Sequence, residues 1–245
     1  MKILVTGGAG FIGSNVTRIL LNQGHQVTVL DNLKNGRKET IAPRAKLIVA
    51  DIADPAKTKE ALKGVDALIH LAGLIIVPES VKEPEKYYQN NVLGSVNLFE
   101  CMKEMGIKKI IFSSSACVYG TPKNLPITED EPLHPDNPYG ATKAAVEAYL
   151  QSYHATADFD VVILRYFNPY GPGELHDPET HAIPNFIKAT IAKKPIPLYW
   201  KGEQIRDFIY IDDLARAHVD VLALSGFNIF NLGMEKGVKI KEVIE

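Results

Sequence analysis

Cysteine is scarce in this chain, with only two among 245 residues. Neither Cys101 nor Cys117 belongs to a CxxC pair, neither has histidines at metal-ligand spacing, and the sequence contains no HExxH motif. A disulfide-stabilised scaffold and a zinc centre of the usual kinds are therefore excluded, and we expect no bound metal.

Long hydrophobic runs and an excess of one charge are also missing. No run approaches the ~18 apolar residues of a membrane-spanning helix, and a net charge of −2 with mixed signs leaves no basic stripe for nucleic acid. Met1 and Lys2 lead directly into the apolar run of 3–5, which is too short for a signal peptide. We expect a cytoplasmic protein whose partner is a small molecule, not nucleic acid or a membrane.

What is present is an alternation of short apolar runs with helical stretches, which is typical of parallel βαβ units. Strands are predicted at Lys2–Thr6, Gln26–Leu30, Lys46–Ala50, Ala67–Leu71, Lys109–Ser113 and Val161–Leu164, and helices at Phe11–Asn22, Pro55–Leu62, Pro84–Glu104 and Tyr139–Ala155. Several of these strands are apolar throughout, as strands covered on both faces should be. The pattern predicts an α/β fold with a doubly wound parallel sheet.

The residue pattern changes after Arg165, where a turn-rich segment is followed by a polar stretch through Thr180 that predicts a long loop. Beyond it, Ile183–Ala192 is predicted to be helical, Pro197–Trp200 and Phe208–Ile211 extended, and Asp212 to open a helix. We predict a main domain over 1–165 and a smaller substrate-binding lobe over 166–245, with some of its segments returning to the main domain.

A glycine-rich turn between the first strand and the first helix has the spacing of a dinucleotide fingerprint. Gly7, Gly10 and Gly13 would supply a tight turn, a close approach to pyrophosphate and close packing of helix on strand. Free amides at the helix start would then face the phosphates. Asp31 ends the second strand, where a carboxylate accepts hydrogen bonds from ribose hydroxyls and repels a 2′-phosphate, although Asp also occurs in turns. NAD is favoured over NADP.

Two further strand ends reach the same edge of the predicted sheet. Asp51-Ile52 could receive an adenine edge or could cap a turn, and these residues alone favour neither. Leu71-Ala72-Gly73 would let a cofactor lie close to the backbone. His70 has no metal or nucleophile partner in the sequence, so a buried core histidine is favoured over a catalytic one.

Tyr139 and Lys143 are spaced to share one face of a helix. The same spacing between Tyr119 and Lys123 encloses a proline, which cannot continue a helix. A positive charge beside a phenol lowers its pKa, so Lys143 with a bound, positively charged nicotinamide would make Tyr139 a base. An ordinary surface pair is the alternative. Ser113 to Ser115 end the fifth strand, where a serine could hydrogen-bond a substrate hydroxyl or simply terminate the strand.

Taken together, these motifs resemble the extended short-chain dehydrogenase/reductases with a Rossmann-type fold, the NAD-dependent epimerase/dehydratase family, and most closely its UDP-glucose 4-epimerase branch. The residues that carry the resemblance are Thr6 to Gly13, Asp31 to Leu33, Asp51-Ile52, His70 to Gly73, Glu79-Ser80, Asn90 to Val92, Ser113 to Gly120, Tyr139 to Lys143, Leu164 to Pro169, Arg206 to Ile209 and Asn231 to Gly233. They span nearly the whole chain.

The resemblance implies a role for each matching position. It implies cofactor contacts at Gly7, Gly10, Phe11, Ile12, Gly13, Asp31, Asn32, Asn35, Gly36, Asp51, Ile52, Leu71, Ala72, Gly73, Asn90, Ser113, Tyr139, Lys143 and Phe167. It implies catalysis by Tyr139, Lys143 and Ser115, and substrate contacts at Ser115, Cys117, Tyr139, Asn168, Asn185 and Arg206. The implied reaction inverts C4 of UDP-glucose or UDP-galactose through a 4-keto sugar with tightly bound NAD, in a homodimer.

Departures from that pattern keep other functions open. Dehydratases of the superfamily place an Asp-Glu pair where this chain has Ala116 and Cys117, which disfavours dehydration. Ser115-Ala116-Cys117 also resembles the GDP-sugar 3,5-epimerases, with His181 near the position of their acid. A non-catalytic NAD-sensing module is a third possibility. The chain ends where a helix begins, so either a truncated or a short variant is expected.

Overall fold

A computed structural model describes residues 1–174 and 181–244 of the chain. Its main sheet has seven strands in the spatial order β3-β2-β1-β4-β5-β6-β9, and every neighbouring pair is parallel. These strands are β1 Lys2–Thr6, β2 Gln26–Asp31, β3 Lys46–Val49, β4 Ala67–His70, β5 Lys109–Ser115, β6 Asp160–Tyr166 and β9 Phe227–Leu232. Strand order reverses between β1 and β4, which opens a crevice at their carboxyl ends.

Helices cover both faces of this sheet. The α-helices of the described residues are α1 Phe11–Asn22, α2 Pro55–Ala61, α3 Val77–Lys82, α4 Pro84–Tyr87, α5 Gly94–Glu104, α6 Pro138–Ala157, α7 Ala182–Ile191, α8 Ile211–Asp220 and α9 Ile240–Ile244. One buried apolar cluster joins the sheet to α2, α5 and α6, and a second joins it to α1 and α8. The predicted doubly wound α/β fold is confirmed.

A second, smaller sheet lies in the later part of the chain. It has the order β10-β8-β7, with β7 Asn168–Tyr170, β8 Ile205–Tyr210 and β10 Gly237–Lys239. Strand β8 is parallel to β7 and antiparallel to β10. However, α8 and β9 pack on the main sheet although both follow residue 166. The boundary between 1–165 and 166–245 stays a prediction.

Some elements differ from the sequence prediction. The helix predicted over Pro84–Glu104 is α4 and α5 joined by a π-helical segment, Tyr88–Leu93. Residues Tyr199–Gly202 are a 3₁₀ turn with left-handed backbone at Trp200 and Lys201, so the extended segment predicted there is wrong. Strand β9 was not predicted, because its two asparagines and the glycines that flank it resemble a loop. No helix among the described residues is long and apolar enough to span a membrane.

Two histidines are part of the core. His70 bonds Thr6 Oγ1 through Nδ1 at 2.7 Å and Ser95 Oγ through Nε2 at 2.8 Å. The Nδ1 of His218 lies 2.8 Å from the Leu214 carbonyl oxygen, and its Nε2 contacts the Tyr166 hydroxyl. Because a carbonyl can only accept, Nδ1 of His218 carries the proton and Nε2 accepts from tyrosine. Both rings are thus neutral structural groups, which agrees with the core interpretation of His70.

Acid should destabilise the fold through these two rings. Burial lowers the pKa of His70 to about 3 and that of His218 to about 4. The unfolded chain takes up their protons below pH ~6.5, so stability is lost as pH falls below that value toward the folded-state pKa. We expect the free energy of unfolding to fall by about 1.4 kcal/mol per ring between pH 7.5 and 5.5, as measured by urea denaturation.

His218→Gln tests this assignment, and His134→Gln is its control because His134 is exposed. The first should remove about half of this histidine-dependent pH effect, and the second should leave it unchanged. An identical pH dependence in wild type and His218→Gln would contradict the assignment.

Candidate active site

The glycine-rich turn brings α1 close to β1 and β4, closer than residues with a Cβ would allow. Gly7 has a φ of +70°, and a Cβ there would lie 2.7 Å from the backbone nitrogen of Ala72. A Cβ on Gly13 would lie 2.2 Å from the Gly7 carbonyl oxygen, and one on Gly10 would lie 3.3 Å from it. Within the described part of the chain, no side chain caps the start of α1. The first amides of the helix therefore point into the crevice without a side-chain partner, as an anion site requires.

Asp31 stands at the end of β2 and is 8% exposed. Its Oδ2 accepts a hydrogen bond from Ala9 N at 2.9 Å, and its Oδ1 accepts one from Leu33 N at 2.8 Å. A Cβ on Gly36 would approach Oδ1 to 2.9 Å. The carboxylate thus joins the glycine-rich turn to the next turn, and its remaining lone pairs can still accept hydrogen bonds.

Asp51 lies beside Asn32, which donates to its Oδ2 at 2.9 Å. Its Oδ1 accepts from Ala53 N at 3.0 Å, as in a turn. Burial raises the pKa of Asp51, but these hydrogen bonds and the charge of Lys34 outweigh burial and hold the pKa below its usual range. The turn interpretation is thus supported, and Asp51 and Asn32 also stand together at the adenine end of the predicted site. The neighbouring Ile52 is buried.

Tyr139 and Lys143 lie in the first turns of α6 and are only 8% and 4% exposed. Asn137 caps the helix by accepting from Gly140 N at 2.9 Å, and Pro138 occupies its first turn. The Nζ of Lys143 donates to the Ser113 carbonyl oxygen at 2.7 Å and lies 6.0 Å from the centroid of the Tyr139 ring. These are not the exposed residues of an ordinary surface pair, so burial favours the functional alternative.

Ser115 and Cys117 complete this cluster at the end of β5. The Oγ of Ser115 accepts from Cys117 N at 3.2 Å, and Ser115 is close enough to Tyr139 to lower the pKa of its hydroxyl. Cys117 is half-buried, and a Cβ on Gly140 would lie 2.5 Å from its carbonyl oxygen, so the start of α6 packs directly on this turn. The predicted catalytic residues are thus assembled at one edge of the sheet.

Burial changes the acid–base properties of this cluster. It raises the pKa of Tyr139 above its usual value, Cys117 raises it further, and the Ser115 hydrogen bond lowers it. Burial lowers the pKa of Lys143 to about 8, against a raising effect of Glu147. The sequence predicted a lowered tyrosine pKa in the NAD-bound protein. In the structure, burial outweighs the lowering effects and raises the pKa. A local motif does not show how deeply the phenol is buried.

The carboxyl end of β4 meets the same cluster. A Cβ on Gly73 would lie 3.7 Å from Lys143 Nζ. Asn91 Oδ1 accepts from Leu74 N at 2.8 Å and from Asn90 Nδ2 at 2.9 Å, which fixes the chain beyond Gly73. The small residues after β4 therefore lie between the glycine-rich turn and Lys143, where a nicotinamide end would be expected.

The remaining predicted residues are less closely tied to this cluster. Asn168, on β7 next to the half-buried Phe167, donates to the Asp207 carbonyl oxygen at 2.6 Å. Arg206 is exposed and donates to the Ile205 carbonyl oxygen, and within the described ranges it forms no ion pair with Asp207.

Asn185 is exposed on α7. Nδ1 of His181 lies 2.6 Å from Glu174 Oε1. These two residues flank 175–180, which lie outside the described residues. Asn35 is exposed in the turn after β2. The assigned roles of these residues stay predictions.

Two residues that position the cluster were not predicted as such. The Oγ of Ser80 accepts from Tyr139 N at 3.2 Å, which holds the first turn of α6 against α3. The Nδ2 of Asn91 donates to Thr142 Oγ1 at 3.2 Å. Glu79-Ser80 and Asn90 to Val92 were visible as motifs, but no spacing in the sequence shows that they touch α6.

A glycine-rich turn where a parallel sheet reverses its order is the architecture of a dinucleotide-binding enzyme. The residues there fit NAD, because only glycine fits the cradle and a carboxylate stands at the ribose position. Residues 3–233 match the model of the NAD dependent epimerase/dehydratase family. This chain belongs to that family, and the predicted membership, fold and NAD dependence are confirmed.

Relatives of known name agree with this assignment. UDP-glucose 4-epimerase of Lactobacillus helveticus is 40% identical over 264 residues, covering 100% of this chain and 80% of that protein. The crystal structure of UDP-glucose 4-epimerase from Brucella ovis in complex with NAD is 39% identical with a TM-score of 0.93, covering 99% of this chain and 80% of that one. The enzyme from Thermotoga maritima with UDP-glucose is 33% identical with a TM-score of 0.96, covering 100% and 80%.

Proposed function

We propose that this protein is a UDP-glucose 4-epimerase that interconverts UDP-glucose and UDP-galactose with tightly held NAD. The observation that carries the proposal is the assembly of Tyr139, Ser115 and Lys143 beside the glycine-rich turn. A dehydratase needs an additional acid and base after the serine, and this chain has Ala116 and Cys117 there. The similarity to named 4-epimerases supports the choice of reaction.

The protein's own residues supply proton transfer. Tyr139 takes the proton from the hydroxyl on C4. It returns the proton after the resulting 4-keto sugar has rotated and presents the opposite face of C4 to the cofactor. Ser115, which lies beside Tyr139 at the end of β5, holds the same hydroxyl in line. When bound, NAD supplies a hydride acceptor and donor for C4, and its oxidised ring supplies a positive charge.

Lys143 supplies the other positive charge. Its pKa of about 8 leaves it mostly protonated at pH 7, and the hydrogen bond to the Ser113 carbonyl oxygen keeps its ammonium group buried near the phenol. Positive charge opposes the effect of burial on Tyr139 and favours the tyrosinate. This provides a base at neutral pH, where an isolated buried tyrosine would stay protonated.

We also propose the binding roles implied for the other residues. The glycine-rich turn, Asp31, Asn32, Asp51 and the residues after β4 hold NAD. Asn168, Asn185 and Arg206 contact the nucleotide diphosphate, for which a guanidinium is well suited. A homodimer through the Pro84 and Tyr139 helices is supported by exposed apolar side chains on the first of them, among them Tyr88 and Leu93.

A GDP-sugar 3,5-epimerase is the second candidate, because Cys117 N donates to Ser115 Oγ at 3.2 Å and the cysteine therefore lies near the reacting centre. Incubation with UDP-galactose or GDP-mannose in deuterated water separates the two reactions by NMR of the sugars. We expect UDP-glucose without deuterium on any sugar carbon. Deuterium at C3 or C5 from GDP-mannose, with no UDP-glucose formed, would overturn the proposal.

A further inference from the structure

A buried ion pair lies one helical turn beyond Lys143. Glu147 and Arg165 have side chains 5% and 4% exposed, respectively, with Arg165 Nη2 2.7 Å from Glu147 Oε2 and its Nε 3.1 Å from Oε1. Buried charges are costly unless they are paired and hydrogen-bonded. The proton transfers described above do not use this pair, so its presence beside the active site calls for another role.

The geometry connects Glu147 to the catalytic strand. The hydroxyl of Ser114 donates to Glu147 Oε1, while Lys143 Nζ donates to the carbonyl oxygen of Ser113. Residues four apart on a helix share one face. Two successive turns of α6 therefore hold two successive residues of β5, and the next residue of that strand is the catalytic Ser115.

Arg165 extends the connection away from the site. Its Nη1 donates to the Tyr119 hydroxyl at 2.7 Å and to the Glu129 carbonyl oxygen at 3.0 Å. Tyr119 in turn donates to Asn231 Oδ1 at 2.7 Å, on β9. The guanidinium thus has several partners on its far side, whereas the carboxylate of Glu147 faces Ser114 and the Lys143 side of the helix.

We propose that Glu147 is a positioning residue for the active site, which fixes α6 against the end of β5 and balances the buried positive charge of Lys143. The proposal rests on the proposed function only for the consequence in turnover. Its effect on Lys143 can be measured without any substrate.

The charged and titratable groups around Lys143 agree with this role. They are Tyr139 and Glu147 on α6, His70 on β4, Cys117 after β5, and Arg165 and Tyr166 on β6. The buried His70 is neutral at physiological pH, since its pKa is about 3. Burial lowers the pKa of Lys143, and the carboxylate of Glu147 is the group that raises it. Without that carboxylate, Lys143 should lose its proton at a lower pH.

The test is an NMR titration of the Lys143 side chain in protein labelled with ¹³C at lysine Cε, with the signal assigned by Lys143→Arg. Glu147→Gln keeps the shape of the side chain and removes its charge. We expect its Lys143 midpoint to fall by about one pH unit or more, a tenfold loss of proton affinity. Glu100→Gln is the matched control, because Glu100 accepts from Tyr153 of α6 on a different face. It should leave the midpoint unchanged.

Arg165→Gln distinguishes a purely structural role of the ion pair from the effect of the Glu147 charge on Lys143. It breaks the same pair and leaves Glu147 charged. We expect its Lys143 midpoint to stay or rise. The double variant Glu147→Gln/Arg165→Gln leaves no unpaired buried charge, so it provides the test if Glu147→Gln does not fold, and its midpoint should fall. An unchanged midpoint in folded Glu147→Gln or in the double variant, or an equal fall in Arg165→Gln, would overturn the proposal.

Turnover gives the second readout. If the native protein is a 4-epimerase, the lower pKa of Lys143 in Glu147→Gln should move the pH–rate profile of that variant to lower pH. We expect KM to change little. If the native protein does not epimerise UDP-galactose, the proposed function fails while the NMR result still decides the role of Glu147.

Discussion

Replacing Tyr139 with phenylalanine is expected to lower kcat for UDP-galactose by about 10²- to 10⁴-fold, the usual contribution of a positioned general base. The change removes one hydroxyl and keeps the aromatic ring. The backbone bond from Tyr139 N to Ser80 also remains, so α6 should stay in place. The measurement is steady-state turnover by a coupled assay for UDP-glucose.

Tyr149→Phe is the matched control, because Tyr149 lies on the same helix and is 45% exposed. It should turn over at the native rate. Both variants should retain the native content of bound NAD and the native melting temperature. A Tyr139→Phe protein with full activity would remove the tyrosine from the mechanism, whatever the reaction proves to be.

Replacing Gly13 with alanine should abolish useful NAD binding. The new Cβ would lie 2.2 Å from the Gly7 carbonyl oxygen, and a backbone atom cannot move aside as a side-chain end can. The start of α1 must therefore shift away from β1, which separates the helix amides from the phosphates. We expect NAD affinity to fall at least about 100-fold, or ~3 kcal/mol, by calorimetry.

Gly24→Ala is the control at the other end of α1. Gly24 has a φ of +84°, and no atom of the described residues lies within 4 Å of a Cβ placed there, so alanine is strained but not crowded. It should cost about 1 kcal/mol of stability and leave NAD affinity unchanged. Native affinity in Gly13→Ala would show that close packing of the turn is not what creates the dinucleotide site.

The parts of the site that sequence could predict are those governed by local patterns. Continuous apolar runs located β1, β4 and β5, and the i, i+4 rule placed Tyr139 and Lys143 on one face of α6. The glycines were informative because they lie between a strand and a helix. In each case the residues that fix the structure are close together in the chain.

What escaped prediction depends on contacts between distant segments. Ser80 touches the start of α6, and Glu147 meets Arg165 only because β5, β6 and α6 pack together. The direction of the Tyr139 pKa also depends on burial by the whole fold. Strand β9 is recognisable as a strand through its pairing with β6, since its two asparagines and the flanking Gly226 and Gly233 are also common in loops.

In the proposed reaction, the hydride removed from C4 returns to C4 of the same sugar. UDP-galactose carrying deuterium at C4, incubated with the protein in ordinary water and examined by NMR, shows whether it does. We expect UDP-glucose that keeps the deuterium at C4. UDP-glucose in which C4 deuterium has been replaced by solvent hydrogen, at a rate matching turnover, would contradict it.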